Sequence, residues 1–430
     1  MKLESLSVVG LHGTLNHRIQ FGPDLTLLVG INGSGKTTLL NVVDWILRSH
    51  FTKLWSLQFK QIDLTFFHHR KRHTLRATQD ATELKLALVG SRKRAITVPG
   101  SLSSSESVAQ SESQFDGLHL ERHERPLWAF LQTLDRPVVI TLDRTLSAEV
   151  DASTLFTDQP SPRAFRRNQP PLVPPIVKVK QVTAERYAKY TNQLSSLNDN
   201  LKASIITSAF RAPLHTRARA PNRRRDLSVQ EIDRLEKKVT DFMSPSTLGQ
   251  SNKTQISRYF QQARSFLKNA QDLERYREVF EINFQLIESL AEAFDEFDQE
   301  SAKEYEAIRR YLEAVNRFLG DSSKELFFDP ATNALSFRFR GRQLSRDLAQ
   351  LSSGERQILV LLTFLAFVAK ENSLFIVDEP ELSLHPKWQL EFMEAFLSLR
   401  PSGAQLLIAT HSPEIVSKHK ADCVVLASQR

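Results

Sequence analysis

Cysteine is almost absent from these 430 residues: Cys423 stands alone. A single thiol excludes an internal disulfide and any zinc site built on several cysteines, and the apolar VVL beside it favours a buried packing residue, so no chemistry is assigned to it. Long apolar runs are missing as well. None approaches the roughly 18 residues that cross a bilayer, and the opening MKLESLSVVG has no basic region followed by a long apolar stretch. Neither a membrane span nor a secretory signal is expected, and a cytoplasmic location follows.

What is present suits a globular chain: 41% hydrophobic and 25% charged residues, enough length for two to three domains and for a sizeable core. The net charge of +8 fits a polyanionic partner but is also carried by many proteins that bind none.

Short apolar segments separated by turns (KLESLSVVG, HRIQF, DLTLLVG) open the chain as strands. The third runs into GINGSGKTT, after which Leu39, Val42, Val43, Ile46 and Leu47 recur at helical spacing. IDLTFF and ELKLALV then read as hairpin strands, and RPVVITLDR as an interior strand. SLSSSESVAQSESQ (101–114) and DQPSPRAFRRNQPPLVPP (158–175) are too polar or proline-rich to bury much and read as loops. From about 183 to 319 the pattern is helical, with one stripe at Tyr305, Ile308, Leu312, Val315 and Leu319, a second near Tyr276, Phe280, Ile287, Phe294 and Phe297, and a break at SPSTLG (244–249). The chain ends on a hairpin (ELFFDPATNALSFRF), a turn and helix (LSSGERQILVLLTFLAF), a buried strand (SLFIVDEP), a helix (PKWQLEFMEAFLSL) and a further strand (AQLLIATHS). Such alternation predicts an α/β sheet assembled from both ends of the chain with helices inserted between them.

Gly30 to Thr37 fits G-x-x-x-x-G-K-[ST]. In that context the backbone N–H groups of Asn32, Gly33, Ser34, Gly35, Lys36, Thr37 and Thr38 can wrap phosphates, the Lys36 ammonium can reach the outer two, and the Thr37 hydroxyl can ligate magnesium at a helix N-terminus. A glycine-rich turn beside an unrelated lysine gives the same match, but the strand before and the helix after argue for the phosphate loop. Leu374 to Val377 lead into Asp378 and Glu379. Two carboxylates closing a buried strand are costly unless they face cations or donors, which places them at the sheet's carboxyl edge. There Asp378 can hold magnesium through water and Glu379 can orient or deprotonate the attacking water. A helix cap is the plainer use of such acids. His411, after the last apolar strand, can meet the γ-phosphate, although a single histidine at a strand end is more often a packed or turn residue. Ser352, Ser353 and Gly354 at a helix start make a low-bulk anion site that a second protomer can bring to the open side of a bound γ-phosphate.

Together these motifs resemble the ABC ATPases, and within them the SMC, Rad50 and RecF-like branch, over roughly residues 1 to 180 and 320 to 430. LSSGERQIL, DEPELSLHP and ATHSPEIV carry a nearer likeness to the small AAA-type, overcoming-lysogenisation-like ATPases of prokaryotic anti-phage systems. The resemblance implies an ABC-type ATPase head with a mixed β-sheet, split into an N-terminal part (1–182) and a C-terminal part (320–430) by a short helical insertion (183–319). It implies ATP and Mg2+ as cofactors, and Glu379 and His411 in catalysis. It implies Ser352, Ser353, Gly354 and Glu355 of one subunit closing on the nucleotide of another, hence a homodimer or higher even-numbered oligomer. Two sequence features depart from the group: His12 stands where members carry an N-F-R-like arginine, and the Q-loop has no clear residue near TLDR (141–144). Ser383 and His385 occupy the D-loop positions, as is normal there.

The helical insertion, about 130 residues with a break at Pro245, reaches about 60–90 Å when folded back, at about 1.5 Å per residue, and carries no Cys-x-x-Cys hook, so long-range tethering is not expected. With only about twenty residues after His411, an appended Toprim nuclease domain is not expected either, and no HNH zinc pattern is present; a dimerising ATPase switch of a defence system, acting through a separately encoded nuclease or toxin effector, is the expectation, with a RecF-like DNA-repair ATPase or a non-hydrolysing nucleotide-gated binding module as the alternatives. HHRKRH (68–73) and RAPLHTRARAPNRRR (211–225) concentrate positive charge in expected loops, where they can grip nucleic-acid phosphates without reading bases or simply be solvated surface.

Overall fold

The computed structural model describes residues 1–99, 123–140, 174–210, 229–242, 257–265 and 270–426. The polar loop at 101–114, most of the proline-rich loop at 158–175, the 141–144 stretch, the basic stretch 211–225 and the break at 244–249 lie outside them.

Two sheets of opposite character share the first of two compact units, formed by Met1–Arg186 and Arg310–Arg430. One is antiparallel, in the order β2-β1-β4-β5-β6-β7, from β1 (Lys2–Leu11), β2 (Leu15–Gln20), β4 (Gln61–His68), β5 (Lys71–Gln79), β6 (Glu83–Leu88) and β7 (Ile96–Pro99). The other is parallel, in the order β13-β3-β12-β11-β8, from β3 (Leu25–Val29), β8 (Val138–Ile140), β11 (Leu374–Asp378), β12 (Gln405–Thr410) and β13 (Cys423–Val425). A small antiparallel ribbon pairs β9 (Lys324–Phe328) with β10 (Leu335–Phe339). The expected assembly from both ends of the chain is realised at β3, which pairs in register with both C-terminal strands, Leu27 meeting Ile408 on one side and Cys423 on the other.

The composition of each strand follows its place. β11 and β12 are buried along their whole length, as parallel strands covered on both faces must be, whereas β2 and β6 alternate as half-buried strands do. Helix α1 (Lys36–Arg48) lies between the sheets: Leu39, Val42, Val43 and Ile46 share one apolar cluster with Leu6, Val8 and Ile62 of the antiparallel sheet and Ile376 and Leu407 of the parallel one. Behind the parallel sheet, Phe375 meets Phe396 edge-on at 5.7 Å, and Phe396 stacks on Phe392 at 4.9 Å.

The long helices run over Pro175–Phe210 (α4) and Ala270–Leu319 (α6), after two short ones at Phe51–Trp55 (α2) and Arg125–Gln132 (α3). α4 starts eight residues before the expected boundary at 183, because Pro175 is tolerated in a first turn, where an N–H has no helical partner. Of the stripe expected on α6, Ile308, Val315 and Leu319 are buried and Tyr305 and Leu312 half-buried; Tyr311 and Phe318 join it, Tyr311 sharing a hydrogen bond of 2.8 Å with Thr363. The second compact unit, Tyr187–Arg309, holds the C-terminal part of α4, the N-terminal part of α6 and α5 (Val229–Phe242); in it the rings of Tyr190 and Tyr305 lie 5.3 Å apart and Arg264 pairs with Asp233 at 2.7 Å. No helix among the described residues is long and apolar enough to cross a membrane.

Two expectations change. HHRKRH is not a loop: His68 closes β4, Lys71 to His73 open β5, and only His69 and Arg70, both at positive φ, form the turn. Tertiary partners account for it, since Arg72 is held by Glu4 across the sheet at 2.6 Å and His73 packs on Phe130 at 5.1 Å. Cys423 is only half-buried, its thiol donating to the His419 carbonyl at 3.2 Å.

Candidate nucleotide site

The carboxyl ends of β3, β11 and β12 converge on one cleft of about 740 Å³. His12, Asn32, Gly33, Gly35, Lys36, Thr37, Thr38, Glu379, Glu381, Leu382 and His411 line it. The phosphate-loop residues, the second acid and the histidine, 341 and 373 residues beyond Thr38 in sequence, thus share one wall. Parallel pairing is the reason. Each strand delivers its following turn to the same edge.

The loop needs its glycines. Gly33 and Gly35 adopt φ of +81° and +90°, a region that side chains strain to enter, and a Cβ on Gly30 would lie 2.6 Å from the Ser34 hydroxyl and 3.1 Å from the Leu426 carbonyl oxygen. Gly35 caps α1 with no side-chain acceptor, and the first turn carries no acidic residue. Its N–H groups therefore stay open to an anion, which the helix dipole favours. The Lys36 ammonium donates to the Gly30 and Ile31 carbonyls at 2.9 and 3.3 Å. Burial pushes its pKa down, and Glu379, Asp378 and Glu381 pull it back up.

Asp378 ends β11, and both its carboxylate oxygens are buried without a hydrogen-bond partner among the described residues. Burial pushes its pKa up to about 6; Glu379 and Glu381 add to the rise, while the Thr37 hydroxyl and Lys36 oppose it. The Thr37 hydroxyl acts on the carboxyl without completing a standard hydrogen bond. An orphaned buried carboxyl facing a hydroxyl at a helix start is a donor set that fits a divalent cation with oxygen ligands. Glu379 follows at φ +48°, its N–H held by the Ala409 carbonyl at 2.9 Å, and its Oε1 lies 3.4 Å from His411 Nε2. This is within reach of a shared water or a tightened contact.

Ser352, Ser353, Gly354 and Glu355 do not line the cleft. They start helix α7 (Ser353–Phe367), whose N-terminus is closed by a capping box: the Ser352 hydroxyl accepts from Glu355 N at 3.3 Å and the Glu355 carboxylate from Ser352 N at 2.7 Å. The same carboxylate accepts from Lys324 Nζ at 2.8 Å and from the Ser322 hydroxyl at 2.6 Å. The Glu355 carboxylate is thus buried and bonded within its own chain. Ser352 and Ser353 remain exposed. Gly354 packs against the backbone of the segment after Glu379, where a Cβ would stand 2.6 Å from the Ser383 carbonyl oxygen. His385 caps helix α8 (Pro386–Ser398), its ring accepting from Lys387 N at 3.2 Å.

Sequence reasoning passed over two members. Glu381 lies two positions after Glu379 and belongs to the cleft wall. His17 lies beneath the loop: its buried Nε2 has no partner among the described residues, sits 3.6 Å from where a Cβ of Gly35 would be, and burial lowers its pKa. Its inward position on alternating β2 is the one signal that marks it. His12, the departure at the first hairpin, turns at φ +51° into the cleft.

Among known proteins, the chain is 35% identical to the Old nuclease of Escherichia phage P2 over 129 residues, 26% of this chain and 22% of that protein. It is 30% identical to protein ea59 of Escherichia phage lambda over 121 residues, 28% and 20% of the two. The matches thus span about a fifth of the length of these curated relatives. Of solved structures, it is similar to the Smc head domain of Pyrococcus furiosus, solved with an extended coiled coil and bound to the C-terminal domain of ScpA, with a TM-score of 0.41 and 14% identity over 100% of this chain and 94% of that one. It is also similar to the SMC head domain of Thermotoga maritima, with a TM-score of 0.36 and 13% identity over 97% and 92%. The AAA ATPase domain model matches residues 1–416, nearly the whole chain and every residue of the cleft, and the protein therefore belongs to the AAA ATPase domain family.

Proposed function

We propose that this chain binds ATP with Mg2+ in the cleft, hydrolyses it, and uses the cycle as a dimerising switch. The observation that carries the reading is the convergence of Lys36, Thr37, Asp378, Glu379 and His411 on one sheet edge. The open N–H groups of the first turn of α1 and the Lys36 ammonium bind the phosphates. Thr37 and Asp378 hold the cation, which when bound neutralises charge on the outer phosphates. Glu379 takes the proton of the attacking water, and His411, 3.4 Å away, orients Glu379 and faces the γ-phosphate.

A dimer has support from the turn at α7. Ser353 and Gly354 hold N–H groups that the first helical turn leaves without an intrahelical partner, Ser353 is exposed, and neither lines the cleft of its own chain. In this reading they complete the site of a second copy, giving a homodimer or a higher even-numbered assembly. The switch serves an anti-phage system and acts through a separately encoded nuclease or toxin effector; support comes from the likeness to two phage proteins, one of them named a nuclease. The exposed His69, Arg70 and Lys71 at the β4–β5 turn support a nucleic-acid contact through phosphates. Phosphate release from ATP by the purified protein, with and without Mg2+, tests the reading at its root, and light scattering of Glu379→Gln with ATP tests the dimer. No Mg2+-dependent release overturns hydrolysis; a monomer under saturating ATP overturns the switch.

A further inference from the structure

The pairing of β11 with β12 ends at Asp378 opposite Ala409. Beyond it, the two turns that carry Glu379 and His411 have left the sheet, yet the proposed chemistry depends on their 3.4 Å separation. On the cleft side, two bonds span the gap: Glu379 N to the Ala409 carbonyl at 2.9 Å, and His411 N to Glu381 Oε1 at 2.5 Å. On the outer side, Gln389 joins the same turns, donating to the Leu384 carbonyl at 2.9 Å and accepting from the Ser412 hydroxyl at 2.7 Å. The Glu381 bond is the one made to the histidine itself.

Two features mark Glu381 as more than a turn acid. Its Oε2 is buried with no partner among the described residues, and its charge adds to those of Asp378 and Glu379 around one lysine. An unsatisfied, like-charged carboxylate costs stability. Such a cost at a cleft points to a role in the bound state.

We propose that Glu381 is a positioning residue for ATP hydrolysis: its carboxylate clamps the backbone N–H of His411 and so holds the imidazole against Glu379. The proposal rests on the hydrolytic reading above. Because the clamp acts on orientation rather than on phosphate, its loss lowers kcat and leaves KM and ATP affinity in place. The hydrogen bond, not the charge, does the holding, so a neutral acceptor of the same shape restores it.

The test compares Glu381→Ala, Glu381→Met and Glu381→Gln with the wild-type chain, measuring kcat, KM and binding of a fluorescent ATP analogue. Expected is a loss of about 10–100-fold in kcat for alanine, with KM and affinity within about 3-fold, and recovery to at least about a third of wild-type kcat for glutamine. Methionine fills the same space without an acceptor and matches alanine, which keeps the test available if the alanine variant does not fold. Turnover by wild type together with an alanine or methionine variant within about 2-fold of it overturns the clamp alone. So does a glutamine variant as slow as methionine, which assigns the effect to charge, or a parallel loss of ATP binding. No turnover by wild type removes the hydrolytic reading and this one with it.

Discussion

His411 Nε2 lies 3.4 Å from Glu379 Oε1, the two side chains standing on turns that follow adjacent parallel strands. Thirty-two positions separate them in sequence; the sheet joins them. This pair faces the loop that carries Lys36, and the division of labour between loop and pair gives the first prediction.

Lys36→Ala removes the ammonium that must exchange the Gly30 and Ile31 carbonyls for phosphate, so ATP binding itself is lost. Glu379→Gln leaves the loop untouched and removes the proton acceptor, so ATP is retained while kcat falls at least about 100-fold. Equilibrium binding and phosphate release measured side by side check this. Equal loss of binding in both variants refutes the assignment.

Asp378 supplies a pH dependence. Burial holds its folded pKa up to about 6, above that of an exposed carboxyl, so the folded chain binds this proton more tightly than the unfolded chain does. The ligand-free protein is therefore stabilised by this group at low pH, and the stabilisation is lost as pH rises through about 6. Asp378→Asn removes the titration, and the wild-type minus variant difference in unfolding free energy should change by about 1–3 kcal/mol between pH 5 and 7. A cation needs the carboxylate, so the affinity for Mg2+ and ATP shows the opposite slope, weakening below about pH 6. Melting curves across pH with and without Mg2+ and ATP read both; a flat difference curve counts against the buried orphan carboxyl.

Legibility in the sequence follows the range of the interaction. Gly30 to Thr37 can be read because eight neighbouring residues carry the whole chemistry, and Asp378 and Glu379 because an apolar strand ending in two acids is unusual at sight. Glu381 cannot, since its meaning lies in a bond to a backbone thirty residues on. Glu355 reads as part of a turn around an anion, while its carboxylate is committed to its own helix cap and to Lys324 on β9. The charge of HHRKRH suggests solvent, but partners far off in sequence, Glu4 across the sheet and Phe130 on α3, hold the strands regular up to a two-residue turn. Periodicity marks which face of α6 is buried; it does not reveal that Tyr311 needs the Thr363 hydroxyl.

Gly354 yields a stability prediction. A methyl group there meets the Ser383 carbonyl oxygen at 2.6 Å with the Trp388 ring at 3.5 Å behind it, and a backbone oxygen cannot swing away as a side chain would. Gly354→Ala should cost about 1–3 kcal/mol, whereas Ser353→Ala, exposed one residue earlier, should stay within about 0.5 kcal/mol. Denaturant midpoints of the two variants decide it. Equal stability would show that the turn and the Ser383 segment are not packed together.

The final prediction concerns the site in trans. Ser353 is exposed and lies outside its own cleft, so Ser353→Arg should leave ATP binding by the single chain near wild type while placing bulk and charge where a second copy would close. Lys36→Ala damages the opposite half of the composite site. Each variant alone is expected to show little turnover. In a mixed dimer, one site combines the intact loop of the Ser353→Arg chain with the intact turn of the Lys36→Ala chain, and the other combines two damaged halves. Mixing should therefore restore turnover, up to about half the wild-type rate per dimer if the two sites work independently. Differently tagged variants, co-purified to show that mixed dimers form and assayed for phosphate release, provide the measurement. Mixed dimers without recovered turnover would mean that the α7 turn acts only within its own chain, through Gly354 and the Ser383 segment, and the proposed closure across two copies would fall.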